Sequence, residues 1–334
     1  MKNLNKSRFI ISALLLISIT MIVFNNLETS SIFFSSTQLA ISEYLGWFII
    51  LTANGFLIFS TYLLFTKYKH IRLGGTSALP SYTYTNWIAM LFSAGLGIGL
   101  LFYGVAEPIG NLNDYPEMLE GDVSHNAGKA LSLTNLHWGL HGWAVYASLG
   151  LCFAFASYNK NKAFRVSSLL GESIEKNKPL AATIDIIAIL TTVTGIATSL
   201  GLGASQINGG LDHVFDIKLN EFTIIVFITL LGLISVCLGL DAGIKRLSQL
   251  NMFIAIVLLL TVLILGPTIF ILNAMVQNAG AYINQIIQLS SWTEAYNNTV
   301  YQNGYTLFYF TWWFAWAPFV SLFIARISYG RTIK

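Results

Sequence analysis

Residues 249–274 read QLNMFIAIVLLLTVLILGPTIFILNA and carry no charged side chain. A helix needs about 20 predominantly apolar residues to cross the hydrocarbon core of a bilayer, and this stretch exceeds that length. The whole chain of 334 residues shows the same bias, since 55% of it is hydrophobic and only 10% is charged. Soluble domains carry about 25% charged residues. The sequence therefore predicts an integral membrane protein and excludes a soluble domain.

Seven further segments resemble that stretch in length and apolar character. The eight predicted spans lie at about 9–25, 45–66, 87–106, 131–157, 181–206, 221–240, 249–274 and 303–326. None alternates like a barrel strand, and backbone groups in lipid must be bonded internally, so the spans are predicted to be helices. The first span follows three cations, as a signal peptide does. Because no small-residue cleavage site follows it, we interpret it as a retained helix.

Lysine and arginine are distributed unequally between the predicted loops. If the spans alternate in direction, 16 of the 18 Lys and Arg residues lie on one side, and the opposite loops hold only Lys129 and Lys218. Positively charged loops stay in the cytoplasm, which predicts a cytoplasmic N-terminus and a multi-pass protein of the inner (plasma) membrane. On the opposite side, segment 275–300 mixes apolar and polar residues and is predicted to be an amphipathic helix at the outer surface.

The predicted span 87–106 contains the glycine-rich run SAGLGIGL at 93–100. Its glycines, Gly95, Gly97 and Gly99, do not share one helical face, and each weakens a helix by about 1 kcal/mol relative to alanine. Two interpretations stay open. The glycines either permit close helix packing or form an unwound segment whose backbone groups face a cavity, as in discontinuous transporter helices.

Aromatic side chains cluster deep inside two predicted spans, whereas tryptophan is usually found at the membrane interfaces. Residues 137–146 read HWGLHGWAVY, and residues 309–319 read YFTWWFAWAPF. The rings of interest are Trp138, Trp143, Tyr146, Trp313, Trp316 and Phe319. They either pack as bulky residues or form a cage for a quaternary ammonium ion. Such an ion has no N–H to donate, so it is recognised through ring quadrupoles.

Polar residues inside the spans are further candidates. Thr194 and Thr198 lie one turn apart on one helical face. Their hydroxyls either bond the carbonyl four residues back or provide oxygen ligands for Na⁺. His137 and His141 are also one turn apart, but no third ligand is evident nearby, so no metal pair is predicted.

Two acids and two cysteines receive structural interpretations. Asp185 is expected to bond backbone or a loop lysine, and Glu107 is expected to cap a helix or to pair. Cys152 and Cys237 each lie in an apolar run, so they are interpreted as packing residues rather than a disulfide framework.

Four longer stretches carry a resemblance. They are NWIAMLFSAGLGIGLLFYGVAEP at 86–108, HWGLHGWAVYA at 137–147, TGIATSLGLGASQINGGL at 194–211 and FTWWFAWAPFVSLFIARISYGRTI at 310–333. In this order they resemble the betaine/carnitine/choline transporter family over almost the whole chain. The resemblance implies an all-α membrane protein with a LeuT-type inverted-repeat transporter fold. The implied parts are two peripheral helices and a linker in 1–80, a first five-helix repeat in 81–274, the external helix in 275–300 and the first helix of a second repeat in 301–334.

The resemblance also implies binding sites. The substrate site for a trimethylammonium compound would comprise Trp138, Trp143, Tyr146, Trp313, Trp316, Gly95, Gly97 and Gly99. One sodium site would comprise Thr194, Thr198 and Phe319, and half of another would be formed by backbone around Ser93 and Leu96.

Gly99 carries the prediction about coupling. Proton-coupled choline members of the family tend to have Asp here, whereas sodium-coupled betaine members tend to have Gly or Ser. We therefore expect Na⁺ symport of glycine betaine, with choline or carnitine carriers as alternatives. We expect no enzymatic activity and no cofactor besides the coupling ion. The expected partners are the substrate and the lipid bilayer, without nucleic acid, and the family suggests a homotrimer.

The chain stops just after Gly330-Arg331-Thr332, the usual end of the eighth helix among the family's roughly twelve. The fold is therefore expected to be incomplete, without four helices of the second repeat. The chain is interpreted either as a fragment or as a truncated paralogue. A true truncation is expected to be inactive in transport.

Overall fold

The computed structural model describes residues 5–95, 97, 99–113, 123–296 and 300–334, which fold almost entirely into helices. The helices are α1 (Lys6–Asn25), α2 (Leu27–Phe65), α3 (Tyr84–Ser93), α4 (Gly104–Asn113), α5 (Val123–Trp138), α6 (Leu140–Ala154), α7 (Glu172–Lys176), α8 (Lys178–Phe215), α9 (Glu221–Cys237), α10 (Lys245–Leu265), α11 (Thr268–Ser291) and α12 (Leu307–Ile327). Strand-like pairing in the described chain is confined to an isolated bridge between Arg72 and Thr332.

Six helical stretches among the described residues are long and apolar enough to cross a membrane. They are Lys6–Asn25, Leu27–Phe65, Asn126–Asn159, Lys178–Phe215, Leu240–Leu265 and Gln302–Ile327. A further apolar helix, α9, is shorter. The prediction of an all-α, multi-pass membrane protein is confirmed. These six stretches correspond to six of the eight predicted spans, α9 corresponds to the predicted span 221–240, and the count of eight stays a prediction.

The predicted span 87–106 is interrupted. Helix α3 ends at Ser93, residues 94, 95 and 97 form a turn and a bend, and a π-helical turn at Gly99–Tyr103 leads into α4. Of the two interpretations of the glycines, the structure therefore has the broken helix. This is the arrangement in which backbone groups become available inside a membrane protein.

The predicted boundary at 274 differs from the structure. Helix α10 ends at Leu265, and α11 begins at Thr268, directly after Gly266-Pro267. Proline has no N–H to donate and clashes with the preceding turn, so the helix cannot continue through it. The amphipathic helix predicted at 275–300 is therefore part of the longer helix α11, which runs from Thr268 to Ser291. Its position at the outer surface stays a prediction.

Two helices are much longer than a bilayer is thick. Helix α2 has 39 residues and α8 has 38. At 1.5 Å per residue each is about 57 Å long, against a hydrocarbon core of about 30 Å. Both helices therefore extend well beyond the apolar layer, and the predicted spans 45–66 and 181–206 are only parts of them.

The chain divides into two compact units. The first unit consists of residues 1–79, 140–195 and 291–334. Its centre is formed by α2, α6 and α12, which pack against one another. Hydroxyl side chains join α2 to α6, since Ser60 Oγ lies 2.7 Å from Ser148 Oγ, which itself donates to the carbonyl oxygen of Phe56 at 3.2 Å. Small polar residues of this kind allow membrane helices to approach closely.

One end of this unit is closed by backbone pairing. The amide of Leu73 donates to the carbonyl of Arg331 at 2.9 Å, and the amide of Gly330 donates to the carbonyl of Leu73 at 2.9 Å. Leu73 also packs with Phe153 and Ala325 in a buried apolar cluster. The segments that follow α2 and α12 are thereby fixed to each other and to the end of α6.

The second unit consists of residues 80–139 and 196–290. Within it, α4 packs against α5 and α3 packs against α10. A polar seam joins α3 to α10. In this seam the amide of Gln249 donates to Asn86 Oδ1 at 2.8 Å, and Ser93 Oγ donates to the carbonyl of Ser248 at 3.3 Å. The assignment of these helices to inverted repeats stays a prediction.

Candidate functional site

Three of the predicted site rings meet in the first compact unit. The ring centroid of Trp313 on α12 lies 5.8 Å from Trp143 and 4.6 Å from Tyr146 on α6, and the latter two are 6.2 Å apart. Their planes are inclined by 57° to 85°, within the tilted and edge-on geometries that ring quadrupoles favour. Tyr146 and Trp313 are buried, whereas Trp143 is half-buried. Trp143 is therefore the most accessible ring of this aromatic cluster.

The backbone approach of α6 to α12 sets the position of the aromatic cluster. A Cβ atom on Gly142 would lie 2.2 Å from Cε2 of Trp313, a distance that real atoms do not adopt. The indole of Trp313 therefore packs directly on the backbone of α6. Ser321 Oγ donates to the carbonyl oxygen of Tyr146 at 3.1 Å and fixes the register of the two helices. Gly142 and the hydroxyl of Ser321 thus determine how the rings of α6 and α12 are positioned.

Trp316 lies one turn farther along α12 and contacts other neighbours. Its Nε1 lies 3.1 Å from the point that a Cβ on Gly195 of α8 would occupy. Its ring centroid is 6.2 Å from that of Phe319. Trp316 therefore packs over α8 beside Thr194. The meeting of all five predicted box residues stays a prediction, because Trp138 belongs to the second compact unit.

The predicted sodium ligands of α8 and α12 are exposed side chains. Thr194 and Thr198 are both exposed, and Phe319 is 48% exposed. Thr194 Oγ1 donates to the carbonyl oxygens of Leu190 and Thr191, both at 3.0 Å, which is a common arrangement for a threonine in a membrane helix. A hydroxyl group has one proton and two acceptor lone pairs, so a threonine oxygen is chemically suited to a cation. Their role in sodium binding stays a prediction.

The glycine-rich interruption has accessible backbone. Gly95 lies in a turn, Gly97 in an exposed bend and Gly99 at the first position of the π turn. A Cβ added at Gly97 would meet nothing within 4 Å. Ser93 precedes the interruption and is bonded to α10, as described above. Leu96, the other ligand predicted here, lies outside the described residues.

Trp138 is held by a buried acid. Its indole N–H donates to one carboxylate oxygen of Glu107, and Nδ1 of His137 lies 2.5 Å from the other. Tyr103 stacks on Trp138 with a centroid distance of 5.6 Å and an interplanar angle of 27°. The prediction that Glu107 pairs is confirmed, but its partners were missed. The sequence signal that could have identified these partners was the adjacency of His137 and Trp138, two side chains with ring N–H groups inside a predicted span. A buried acid such as Glu107 needs donors of this kind.

Two other polar residues predicted inside the spans have partners. Nε2 of His141 lies 3.0 Å from Oδ1 of Asn54. Asp185 accepts from the backbone N–H of Ser167 at 2.9 Å, as predicted, and also forms an ion pair with Arg8. The cation beside Asp185 is therefore an arginine of α1 rather than a loop lysine.

Comparison with known proteins places these features in a family. Residues 8–334 match BCCT, the betaine/carnitine/choline family transporter. The chain is 41% identical over 308 residues to the glycine betaine transporter OpuD of Bacillus subtilis, covering 90% of this chain and 60% of that protein. It is 40% identical over 325 residues to a glycine betaine/proline/choline transporter of Vibrio parahaemolyticus, covering 90% and 58%. It is 38% identical over 327 residues to the high-affinity choline transport protein of Escherichia coli, covering 96% and 48%.

The match extends over nearly all of this chain but over a smaller share of its relatives. The chain spans 48% to 60% of the length of the three relatives named above. All the predicted site residues fall inside the matched range 8–334. The chain belongs to the betaine/carnitine/choline family of transporters, whose members are transporters rather than enzymes.

Proposed function

We propose that this chain carries the substrate-binding helices of a secondary active transporter that imports glycine betaine together with Na⁺. The aromatic cluster of Trp143, Tyr146 and Trp313 is the observation that carries the proposal. Three rings meet there between two apolar helices, away from the interfacial positions that tryptophan usually takes. Packing alone would be served by aliphatic residues, whereas a cation without N–H groups requires aromatic faces.

The energetics of cation recognition favour such a cluster. A single ring contributes about 0.5 kcal/mol to cation binding when exposed and about 2 kcal/mol when desolvated, so several rings must act together. Buried Tyr146 and Trp313 provide the low-dielectric surroundings, and half-buried Trp143 provides an accessible face. A trimethylammonium group satisfies these requirements, because its charge is spread over methyl groups that also make dispersion contacts.

The names of the relatives support this substrate class. Glycine betaine and choline, which appear in the names of the three relatives, both contain the trimethylammonium group. Choline is therefore the second candidate. The residue at position 99 is glycine, where a titratable side chain would favour proton coupling. That position favours glycine betaine and Na⁺ in our proposal.

Sodium would be bound by hard oxygen ligands at two places. We assign one site to Thr194, Thr198 and Phe319, and half of another to the backbone around Ser93 and Leu96. The hydroxyl oxygens of α8 and the interrupted backbone after α3 supply the donor chemistry that Na⁺ requires. The excess of Lys and Arg on one side gives the proposed orientation, with a cytoplasmic N-terminus. A homotrimer is the oligomeric state that we propose from the family.

The experiment is uptake of labelled glycine betaine in cells that lack their own betaine carriers. The chain is tested as it stands and joined to any downstream reading frame, in Na⁺ and in K⁺. We expect sodium-dependent uptake by the extended form and a reduction of about tenfold in Trp313→Phe, because phenylalanine presents a weaker quadrupole. Trp47→Phe is the matched control, since Trp47 is 59% exposed on α2.

Two results would contradict the proposal. Uptake at the same rate in Na⁺ and K⁺ would contradict sodium coupling. An unchanged uptake rate in Trp313→Phe would contradict a substrate site at the aromatic cluster. Stable insertion of both forms without any uptake would favour a transport-inactive paralogue.

A further inference from the structure

Glu107, His137 and Trp138 form a network to which the proposed function assigns no role. The carboxylate of Glu107 accepts the indole N–H of Trp138 through one oxygen, and the other oxygen lies 2.5 Å from Nδ1 of His137. Glu107 is 2% exposed and His137 is fully buried. Two adjacent residues of α5 therefore contact both carboxylate oxygens of one acid of α4.

Burial of the Glu107 carboxylate requires groups that stabilise it in place of water. Removing a carboxylate from water is unfavourable unless partners replace the water. An ionised carboxylate only accepts hydrogen bonds, so His137 presents its N–H on Nδ1 and Trp138 presents its indole N–H. Both contacts are charge-assisted and therefore stronger than neutral hydrogen bonds. The carboxylate and imidazole are enclosed, whereas Trp138 is only half-buried. Of the three groups, the indole ring is the one with accessible surface.

The indole is also restrained by stacking. Tyr103 lies 5.6 Å from Trp138 between ring centroids, with the planes 27° apart. Stacking fixes the plane of the indole, and the hydrogen bond to Glu107 fixes its rotation within that plane. The ring is thereby preorganised before any ligand arrives, which lowers the cost of binding.

The hydrogen bond also changes the ring electronically. An anion that accepts the indole N–H draws the proton toward itself and leaves more electron density in the π system, because hydrogen bonds polarise their partners. Attraction of a cation to a ring face depends on the negative potential of that face. A tryptophan bonded to a carboxylate should therefore bind a cation more tightly than the same tryptophan bonded to a neutral acceptor.

We propose that Glu107, held by His137, is a positioning residue that orients Trp138 and raises the affinity of its ring for a quaternary ammonium ion. The inference rests on the proposed function and on the expectation, implied by the family resemblance, that Trp138 belongs to the substrate site. Glu107 does not touch the substrate in this account. It acts through the indole, and its effect is selective for the positive charge of the ligand.

The first test observes the hydrogen bond without any substrate. In purified full-length protein labelled with ¹⁵N-indole, the Nε1–H resonance of Trp138 is identified by its loss in Trp138→Phe. We expect Glu107→Gln to shift this resonance upfield, because a neutral acceptor weakens the bond. An unchanged resonance would overturn the inference whatever the protein transports.

The second test separates charge recognition from folding. Binding of glycine betaine is compared with binding of 3,3-dimethylbutyrate, which has the same shape with carbon in place of the positive nitrogen. We expect Glu107→Gln to weaken glycine betaine about tenfold and not to weaken the carbon analogue. Trp138→Phe, which lacks the N–H, should also lose affinity for glycine betaine. In that background Glu107→Gln should have little further effect.

The matched control is Thr134→Val. Thr134 lies one turn before Trp138 on the same helix and accepts from Asn111 of α4 at 3.2 Å, so it tests the same helix pair without removing a hydrogen bond of Glu107. We expect it to leave the ratio of the two affinities unchanged. Equal weakening of both ligands by Glu107→Gln would show a purely structural acid and overturn the inference. Failure of the wild-type protein to bind either ligand would instead contradict the proposed function, and the indole resonance would still decide the role of Glu107.

Discussion

Tryptophan is held in two different ways along the helical stretch Asn126–Asn159. Trp138, in its first half, is held by polar groups, a carboxylate and a stacked phenol. Trp143, in its second half, packs among rings whose positions depend on Gly142 and on the close approach of α12. The position of Trp138 is therefore sensitive to substitutions that remove a hydrogen-bonding group. The position of Trp143 is sensitive to substitutions that add side-chain volume between the helices.

The largest effect is expected at the polar end of this comparison. His137→Leu removes one donor from the buried carboxylate of Glu107, and breaking such a pair costs about 3 kcal/mol of stability. Thermal unfolding of the purified protein in detergent measures the loss. His137→Asn places an N–H near the position of Nδ1 and should recover most of it. A leucine variant as stable as the wild type would mean that the acid does not depend on the imidazole.

The next effect is expected at the packed end. Gly142→Ala places a methyl group 2.2 Å from Cε2 of Trp313, so the indole or the helix must move. Overpacking of this size costs about 2 kcal/mol. The control is Gly128→Ala on α5, where a Cβ meets only Asn278 Oδ1 at 4.0 Å. The same unfolding measurement should show a loss for the first and little change for the second. Equal changes in both would contradict the close packing of Trp313.

A smaller effect tests the register of α6 and α12. Ser321→Ala removes the hydroxyl that donates to the carbonyl of Tyr146 within a fully buried contact. The expected loss is about 1 kcal/mol, the usual value of such a hydrogen bond. Ser36→Ala on α2 removes an exposed hydroxyl bonded to the carbonyl of Phe33 and should have little effect. If the two variants unfold alike, the interhelical bond does not stabilise the aromatic cluster.

The smallest effect is expected in the connector before α8, outside the spanning helices. A hydrogen bond from Lys162 lowers the pKa of Glu175 below its ordinary value. Because the folded pKa is the lower one, this contact stabilises the connector above the ordinary glutamate pKa. The stabilisation is lost as the pH falls through the lowered value. The protection factors of the amides of residues 160–177, which are exchange rates corrected for the intrinsic pH dependence of amide exchange, should therefore fall at acidic pH and in high salt, which screens the pair. Protection factors that are independent of both would exclude this contribution.

The sequence predicts the class of fold because composition decides it. Long apolar segments with few charges form helices in lipid whatever their detailed packing, and residues 249–265 illustrate this. The break of span 87–106 was one of two open interpretations, because three glycines weaken a helix but do not determine the residue at which it ends. The helix break at Gly266-Pro267 was missed because apolar residues continue on both sides, although proline there was a visible signal.

The site was predicted only in part, because sequence spacing describes one helix at a time. Helical periodicity predicts that Trp143 and Tyr146 lie on the same face of one helix. Their contact with Trp313 depends on the packing of α6 against α12. The partner of Glu107 could not be read from spacing, since 30 residues and a change of helix separate it from His137. The close approach at Gly142 likewise depends on a neighbour that no local pattern identifies.

The most direct test of the central claim is equilibrium binding of labelled glycine betaine to the purified full-length protein, in Na⁺ and in K⁺. We predict tighter binding in Na⁺, a loss of about tenfold in affinity in Trp313→Phe and no change in Trp47→Phe. Binding that is equal in both ions, or that is unaffected by Trp313→Phe, would contradict a sodium-coupled site built on the aromatic cluster.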